Sequence, residues 1–437
     1  MTIPSIDISP ARNNITARFE KAWNMRKLKE FAAALVLATA LAPAAVLTIP
    51  TAAFAQKTVS AKVGKPLQEA QAAAKAGDFR GALAKVKEAE AITPKTAYEE
   101  MVVQDFKVYV CSNLRDSACA AAAAEAAFKT NAWAAGEKGR RLKYLSQINY
   151  TIRNYAKCIS YAERHFAEVG QSADLAELVA QAYYQQGNWT KALQLSQDAI
   201  RAAERAGQKP KKGTLQIAQA SAYKLKNGAV NKDLLFKLVD YYPSADYWAS
   251  LVGTLKAQTG TSDHFRLDAL RLLDAAGGLK KAADYMQMGE MSLQQGLPGE
   301  TLRIVNKGFA AGVLGVGPEA ARQKRLQTEA GKQAAAAKAG LARKAAAASA
   351  SPQGDDDIKV AEAYETFGDN QNALPLLATG LSKAGLKAPD EGRLLLGRVQ
   401  LNLKKKAEAI STFKSITTDP KYSELARAWA ILAKQKT

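Results

Sequence analysis

The sequence predicts an all-α fold, a right-handed α-α superhelix (solenoid) of stacked helical hairpins, and three observations carry that expectation. The first is a pair of six-residue stretches, Arg153-Asn154-Tyr155-Ala156-Lys157-Cys158 and Gly187-Asn188-Trp189-Thr190-Lys191-Ala192. They share a small-or-polar, aromatic, small arrangement 34 residues apart, a period that belongs to stacked helical pairs. The second is an alanine- and leucine-rich composition without alternating strand patterns. The third is that the same arrangement recurs, with varying fidelity, along most of the chain. A single hairpin of this kind cannot bury its apolar face, so neighbours stack into a quasi-one-dimensional scaffold and leave a long concave surface free.

Residues 1–55 read as an N-terminal leader and signal peptide. Arg26, Lys27 and Lys29 precede an apolar run from Phe31 to Ile49, and Ala53-Phe54-Ala55 supplies the small residues of a cleavage site, so cleavage is expected after Ala55. The run is close to the minimum for spanning a bilayer, but Pro43, Pro50 and the Ala-x-Ala site favour cleavage over a retained anchor. Either outcome puts the bulk of the chain outside the inner membrane, because the positive flank stays in the cytoplasm. The expected location is therefore periplasmic, with no membrane span after cleavage. Met25 would make a compact start for the same signal. Removing residues 1–55, with six basic and three acidic side chains, lowers the net charge from +20 to +17. Such a surplus favours anionic partners such as acidic proteins, lipid headgroups or envelope polymers. Export makes nucleic acid a partner the chain is not expected to meet.

Residues 56–317 carry the first run of repeats. Ala70, Ala73, Gly77, Phe79, Ala82 and Ala89 mark a hairpin closed by Pro94. Met101 to Ala127 is more ambiguous, since Val102, Val103, Phe106, Val108 and Val110 allow a strand. Val102, Phe106, Tyr109 and Asn113 also fall near one helical face, and the neighbouring hairpins decide for helix. Three cysteines, an odd number, leave at least one unpaired in a compartment where disulfides persist. Cys111 falls late in one helix and Cys119 early in the next, so antiparallel packing across Ser112 to Ser117 can bring them to bonding distance. A bridge closing so short a loop stabilises by about 2–3 kcal/mol. The alternative is three buried thiols at small-residue positions, which Cys158 suits by aligning with Ala192. Ala176 to Ile200 gives the clearest unit, with Val179, Ala180, Tyr183, Gly187, Trp189, Ala192 and Ala199. Weaker copies run through Ala218 to Pro243, where the turn at Asn227-Gly228 is expected to be longer, and through Tyr285, Gly289, Gly296 and Thr301.

Residues 318–354 depart from the pattern as an alanine- and lysine-rich bridging segment and linker. Between Pro318 and Ala350 seven basic residues (Arg322, Lys324, Arg325, Lys332, Lys338, Arg343, Lys344) stand against Glu319 and Glu329. The alanines favour helix but are too small to anchor a core. The segment reads as a solvated hairpin between two repeat blocks, with a basic arm for an anionic surface as the alternative. Residues 355–437 resume the repeats. Asp355, Asp356 and Asp357 open a helix where negative charge suits the dipole, followed by Ala361, Tyr364, Gly368, Ala373 and Leu377, then Leu396-Gly397, Ala409, Phe413 and Pro420.

These residues resemble the tetratricopeptide repeat, and the chain is similar to exported bacterial proteins of that type across most of residues 63–434. In that family small side chains sit where the two helices of a hairpin cross, here Ala180, Ala192 and Ala199, while Tyr183 and Trp189 fill the gaps and Gly187 serves the turn. Val179 stands where a leucine is usual, and Arg153 and Cys158 depart from the consensus. The resemblance implies that the first helix of each hairpin lines a groove whose outward residues meet a ligand. Carried onto this chain, it points to Arg140, Lys143, Gln147 and Tyr150 from one helix and Glu177, Gln181, Tyr184 and Gln185 from the next. Mixed polar character there suits a peptide or an extended polar segment.

Chemistry has little to stand on. The two histidines, His165 on a repeat helix and His264 in a turn before one, lack metal-ligand spacing. Neither a Gly-x-Ser-x-Gly elbow nor a phosphate-binding loop is present. The glycine-rich stretch Gly312 to Gly317 follows a helix rather than a strand and reads as a connector. No cofactor or metal is expected. The sequence thus points to a non-catalytic periplasmic scaffold or adaptor that binds a protein or peptide of the cell envelope. The alternatives are a basic module on anionic lipid or cell-wall polymer, and a subunit of an envelope enzyme complex.

Overall fold

The structure, a computed structural model, describes residues 58–436; the leader, the apolar run and the expected cleavage at Ala55 lie outside the described residues. Among the described residues there are 21 α-helices and no strand, and no helix is long and apolar enough to cross a membrane. The chain divides into two compact units, Met1–Asn227 and Gly228–Thr437.

The first unit holds α1 (Ala61–Lys75), α2 (Phe79–Ala91), α3 (Ala97–Asn113), α4 (Ser117–Lys129), α5 (Lys138–Thr151), α6 (Tyr155–Glu168), α7 (Ala173–Gln185), α8 (Trp189–Arg205) and α9 (Lys212–Lys224). One turn device builds the hairpins. Two residues past the end of α1, α3, α5, α7 and α9 stand Gly77, Arg115, Arg153, Gly187 and Lys226, all left-handed with φ between +55° and +81°. After the first four come Asp78, Asp116, Asn154 and Asn188. Their side-chain oxygens accept from the backbone N–H of Gly81, Cys119, Lys157 and Lys191, capping the next helix. By their numbering these turns follow one another at 38, 38, 34 and 39 residues. The interval from Gly77 to Arg153 therefore holds a middle turn at Arg115. The turn expected to be long near Asn227-Gly228 is short, because Lys226 occupies the left-handed position that the sequence pattern assigns to glycine.

This device yields a first prediction. A left-handed residue with a Cβ costs roughly 1–2 kcal/mol, and a Cβ at Gly187 would meet nothing within 4 Å, so the cost there is backbone strain alone. Gly187→Ala is expected to destabilise the first unit by about 1 kcal/mol, whereas Arg153→Gly relieves the same strain and is expected to leave stability unchanged or slightly raised. The urea midpoints of the two variants check both signs.

The crossing points are as small as the sequence requires: Ala70, Ala82, Ala89, Ala180 and Ala192 are fully buried or nearly so, while Tyr183 and Trp189 are half-buried. Residues 101–110 are helical. Thr96 accepts from the Glu99 N–H while the Glu99 carboxylate accepts from the Thr96 N–H at 2.8 Å, starting α3 with a reciprocal cap. Val102, Val103, Phe106 and Val110 then enter a core with Val63, Leu67 and Val86. Cys111 and Cys119 form a disulfide across the α3–α4 turn, with Cα atoms 5.8 Å apart. Cys158 is free and buried; burial pushes its thiol up to about 11, which leaves it an inert packing group. First helices lie beside one another, α1 by α3, α5 by α7 and α7 by α9, and each second helix packs on the first helices flanking it.

The second unit holds α10 (Gly228–Tyr241), α11 (Ala245–Lys256), α12 (Asp263–Ala275), α13 (Ala282–Gln294), α14 (Pro298–Ala310), α15 (Ala320–Ala339), α16 (Leu341–Ala350), α17 (Gly354–Thr366), α18 (Asn370–Ser382), α19 (Pro389–Asn402), α20 (Lys406–Lys414) and α21 (Pro420–Gln435). Left-handed turns recur at Gly296, Gly368 and Lys404. Gly397 of α19 lets the Phe413 ring of α20 approach so closely that an added Cβ would lie 2.3 Å from it. The basic segment forms α15 and α16, whose seven Lys and Arg side chains are all exposed and whose buried residues are few and mostly alanine.

This unit also closes on itself. Helices α10, α11 and α12 touch α21, and α14 touches α17. The Arg427 guanidinium lies 4.1 Å over the Phe236 ring, Glu424 accepts from Gln258 at 2.6 Å, and the Phe265 and Tyr422 rings meet edge to face at 5.2 Å.

Candidate interaction face and ion-lined pocket

The sequence-predicted groove residues lie on α5 and α7 of the first unit, and the structure separates them into two groups. Gln147 and Tyr150, each 9% exposed, are packed into the helix array rather than presented to a partner. Tyr150 belongs to the core around Cys158, Ile159 and Leu175, with its ring edge-on to Tyr155 at 5.4 Å. Burial raises its hydroxyl to about 12, opposed by a hydrogen bond from Gln185. Leu175 of α7 and Tyr155 of α6 cover this end of α5, so little of Tyr150 is left on the surface.

Of the other six, Lys143 and Glu177 belong to a row of ion pairs that crosses between helices, and Arg140 pairs locally. Arg140 pairs with Glu137 at 2.6 Å, Lys143 reaches Asp174 at 3.3 Å, Asp174 accepts from Lys211 at 2.8 Å, and Lys211 lies 3.4 Å from Glu177. Gln185 ties α7 back to Tyr150 of α5. Gln181 and Tyr184 are half-buried and Gln185 is exposed; Tyr184 rests on Ala180, Ala192 and Ile217. Asp174 and Lys211 escaped the sequence reading because neither sits at a repeat landmark. Tyr223 escaped too, although it stands three residues before Lys226 as Tyr184 stands before Gly187. It is 46% exposed, and only the absence of a glycine concealed it.

A second site, in the second unit, escaped sequence reasoning altogether. Asp268 of α12, Glu300 of α14 and Arg398 of α19 are all under 5% exposed, as is Arg271 of α12. Arg271 donates to Glu300 at 2.6 Å and, through Nη1, to Asp268 and Glu362 at 2.8 Å each. Arg398 donates through Nη1 to Asp268 at 2.5 Å and through Nε to Glu365 at 3.3 Å. Its Nη2 is buried and has no hydrogen-bond partner, a position that costs about 1–3 kcal/mol when left unfilled. His264, in the first turn of α12 rather than before it, places Nδ1 2.9 Å from Gln295 Oε1. Its Nε2 lies 3.7–3.8 Å from carboxylate oxygens of Asp268, Glu362 and Glu391. His264, Asp268, Glu362, Glu391 and Arg398 line a pocket of about 170 Å³ together with Ile358, Lys359, Ala388 and Leu395. Among the described residues no group of three or more His, Cys, Asp or Glu side chains is arranged to hold a metal ion. His165, by contrast, is buried on α6 with Nδ1 3.0 Å from the Gly170 carbonyl oxygen, a structural position.

The electrostatics make this unit sensitive to pH in both directions. Burial pushes the Asp268 carboxyl up, but Arg398, His264 and Arg271 outweigh it and hold the group at about 2. Burial pushes the His264 imidazolium down, and Asp268 with Glu362 more than restores it, so its pKa is raised. Burial raises Glu391, against the opposing charge of His264. A depressed Asp268 stabilises above its ordinary value of 3.8 and is lost as pH falls toward 2. A raised His264 stabilises fully below 6.5 and is lost as pH rises through its folded value. Raised Glu391 costs stability as pH rises from its ordinary 4.5 through its folded value. The second unit is therefore expected to be most stable in mildly acidic solution and to weaken above 6.5. Hydrogen exchange in α12 and α19 across pH 4–9, with His264→Gln flattening the alkaline limb, checks this; a wild-type profile without that limb would refute it.

No protein-family model matches the chain, and no curated protein matches it. Solved structures do. A tetratricopeptide repeat protein from Parabacteroides merdae is 14% identical with a TM-score of 0.29, covering 76% of this chain and 99% of its own. The TPR2AB domain of yeast Sti1 in complex with pHSP90 is 13% identical with a TM-score of 0.25, covering 69% of this chain and 100% of its own. Yeast Tom70 is 11% identical with a TM-score of 0.20, covering 85% of this chain and 96% of its own. Likeness at this level is one of helical-repeat architecture alone.

Proposed function

We propose that this chain, a helical-repeat protein of the tetratricopeptide type, is a non-catalytic, exported scaffold that holds a protein or peptide partner on the first-helix face of its first unit. One observation carries the reading: the row Lys143, Asp174, Lys211 and Glu177 crosses from α5 through α7 to the start of α9 as one paired strip. Pairing fixes the polar groups in place, and Gln181, Tyr184, Gln185 and Tyr223 stay accessible beside it. Alternating charge, amide and tyrosine surface suits an extended polar peptide, whose backbone amides bond to glutamines and whose apolar side chains rest on tyrosine rings. The signal-like segment at residues 26–55 and the Cys111–Cys119 bridge support an oxidising compartment outside the inner membrane, so the partner is expected in the cell envelope.

Photocrosslinkers placed at Gln181, Gln185 and Tyr223 in cells, with Gln194 on α8 as control, test this directly. One shared adduct from the three face positions and none from Gln194 is the expected result. Adducts from Gln181 and Tyr223 unchanged by replacing Tyr184 and Gln185 with alanine would sink the face as the binding site. The exposed basic helices α15 and α16 favour a second reading, contact with an anionic lipid or cell-wall polymer. Salt separates the two, since polymer contact weakens steeply with ionic strength while recognition on the paired face persists.

A further inference from the structure

We infer that α15 and α16 form a non-inserting contact surface for an anionic lipid bilayer. Such a contact deepens the second, charge-based reading of these helices, on which it rests, and is independent of the first-helix face. The two helices are fixed at both ends. Arg322 pairs with Glu290 at 2.5 Å and Gln327 donates to Asn306 at 2.6 Å, which ties the start of α15 to α13 and α14. At the end of α16, Lys383 donates to the Ala348 and Ser351 carbonyl oxygens at 3.2 and 2.7 Å. Between these anchors stand Arg325, Lys332, Lys338, Arg343 and Lys344, all exposed and none in an ion pair or side-chain hydrogen bond among the described residues. Glu329, the one acid of the stretch, accepts from Gln333 at 2.7 Å instead. Other exposed cations of this unit find acids, as Lys280 finds Asp246, Lys307 finds Asp274 and Lys405 finds Glu408.

Helical period turns three of the five straight outward. Arg325, Lys332 and Arg343 follow the buried residues Gln323, Ala330 and Leu341 by two positions each, which is about 200° around a helix. The residues beside them are mainly alanine, and no large apolar side chain is exposed on either helix. Small neighbours let the charges approach a flat surface, and without an apolar wedge the helices stay out of the hydrocarbon. The same features disfavour other occupants. A folded protein partner needs aromatic or aliphatic anchors, which these helices lack. The outward cations stand about 10 and about 16 Å apart along the axis, so no single acidic group bridges them and a polymer of fixed repeat meets them out of step. Lipid headgroups diffuse to each cation in turn, so uneven spacing is no obstacle to a fluid leaflet.

Co-sedimentation of the full folded chain with vesicles of phosphatidylcholine and phosphatidylglycerol, against phosphatidylcholine alone, tests the contact. Binding is expected to the anionic vesicles only, and about 1 M salt, where the screening length falls to about 3 Å, is expected to release it. A Lys or Arg at such a surface contributes about fivefold to partitioning, so Lys332→Gln is expected to weaken binding about fivefold and Arg325→Gln with Lys332→Gln and Arg343→Gln about a hundredfold. Lys62→Gln with Lys75→Gln and Lys87→Gln, exposed cations of the first unit, removes the same charge and is expected to change binding less than about twofold. All six side chains are exposed, and circular dichroism is expected to be unaltered in both triple variants. The lipid contact is overturned if the α15–α16 variant binds anionic vesicles as the wild type does, or if the two triple variants weaken binding equally. Polygalacturonate and poly-L-glutamate in place of vesicles separate the occupants. Capture by either polymer but not by vesicles would remove the lipid and leave the charge-based reading; no binding to any of the three would remove both.

Discussion

Arg271→Met is expected to destabilise the second unit by about 3–5 kcal/mol. The guanidinium of Arg271 is the shared partner of Asp268, Glu300 and Glu362, and burial of these groups leaves water little part in screening them. Methionine keeps most of the volume but none of the charge, so three carboxylates remain with Arg398, Arg303 and His264 as their nearest cations. The size of the loss reflects the stranded charges more than any intrinsic merit of the ion pairs. Arg271→Met combined with Glu300→Leu is accordingly expected to recover part of it, since apolar replacement of a whole buried pair is often neutral. Hydrogen exchange resolved by peptide is the measurement. Protection should fall through α12, α14 and α17 while α1–α8 hold theirs, and a loss below about 1 kcal/mol would show the network to be dispensable.

Arg141→Met is the corresponding lesion in the first unit, with an expected cost of about 3–5 kcal/mol. Arg141 of α5 and Asp105 of α3 form a two-point pair, Nη1 to Oδ1 at 2.9 Å and Nη2 to Oδ2 at 2.8 Å, with both residues under 5% exposed. Glu137 adds a third contact from the start of α5 at 3.0 Å. The pair joins first helices of consecutive hairpins, so its loss loosens the array beneath the Lys143–Asp174 row as well as the hairpin itself. Arg141→Lys keeps the charge but not the planar fork, and is expected to recover less than half of the loss. Urea denaturation read by Trp133 and Trp189 fluorescence checks both variants.

The two lesions also show which parts of this molecule a sequence can display. Hairpins are legible because they are local: Ala180, Gly187 and Ala192 stand within one repeat, and their sizes alone state where helices cross. Legibility fails first at Arg115, Lys226 and Lys404, where a long basic residue takes the left-handed turn position and pays in strain for a pattern that glycine would announce. The Asp or Asn that follows Arg115, Arg153 and Lys226 was the available signal. It fails completely for the buried ions. Arg271 and Glu362 are 91 residues apart and Arg398 and Asp268 are 130 apart, so no local spacing links them. His264 looks unremarkable in sequence because its three carboxylate neighbours come from α12, α17 and α19. Gln147 and Tyr150 fail differently: helical period puts them on the first-helix face, but the neighbouring hairpin covers the end of α5.

Closure of the second unit through α21 has a consequence for how the protein is made. Phe236, Gln258, Phe265 and Asp268 have long-range partners among residues 398–427. The first unit, whose pairings join neighbouring hairpins, can fold as each hairpin leaves the ribosome. The second must wait, its early helices holding apolar surface in the open until Pro420–Gln435 arrives, which makes it the slow step of biosynthesis and the stretch where a holding chaperone would be needed.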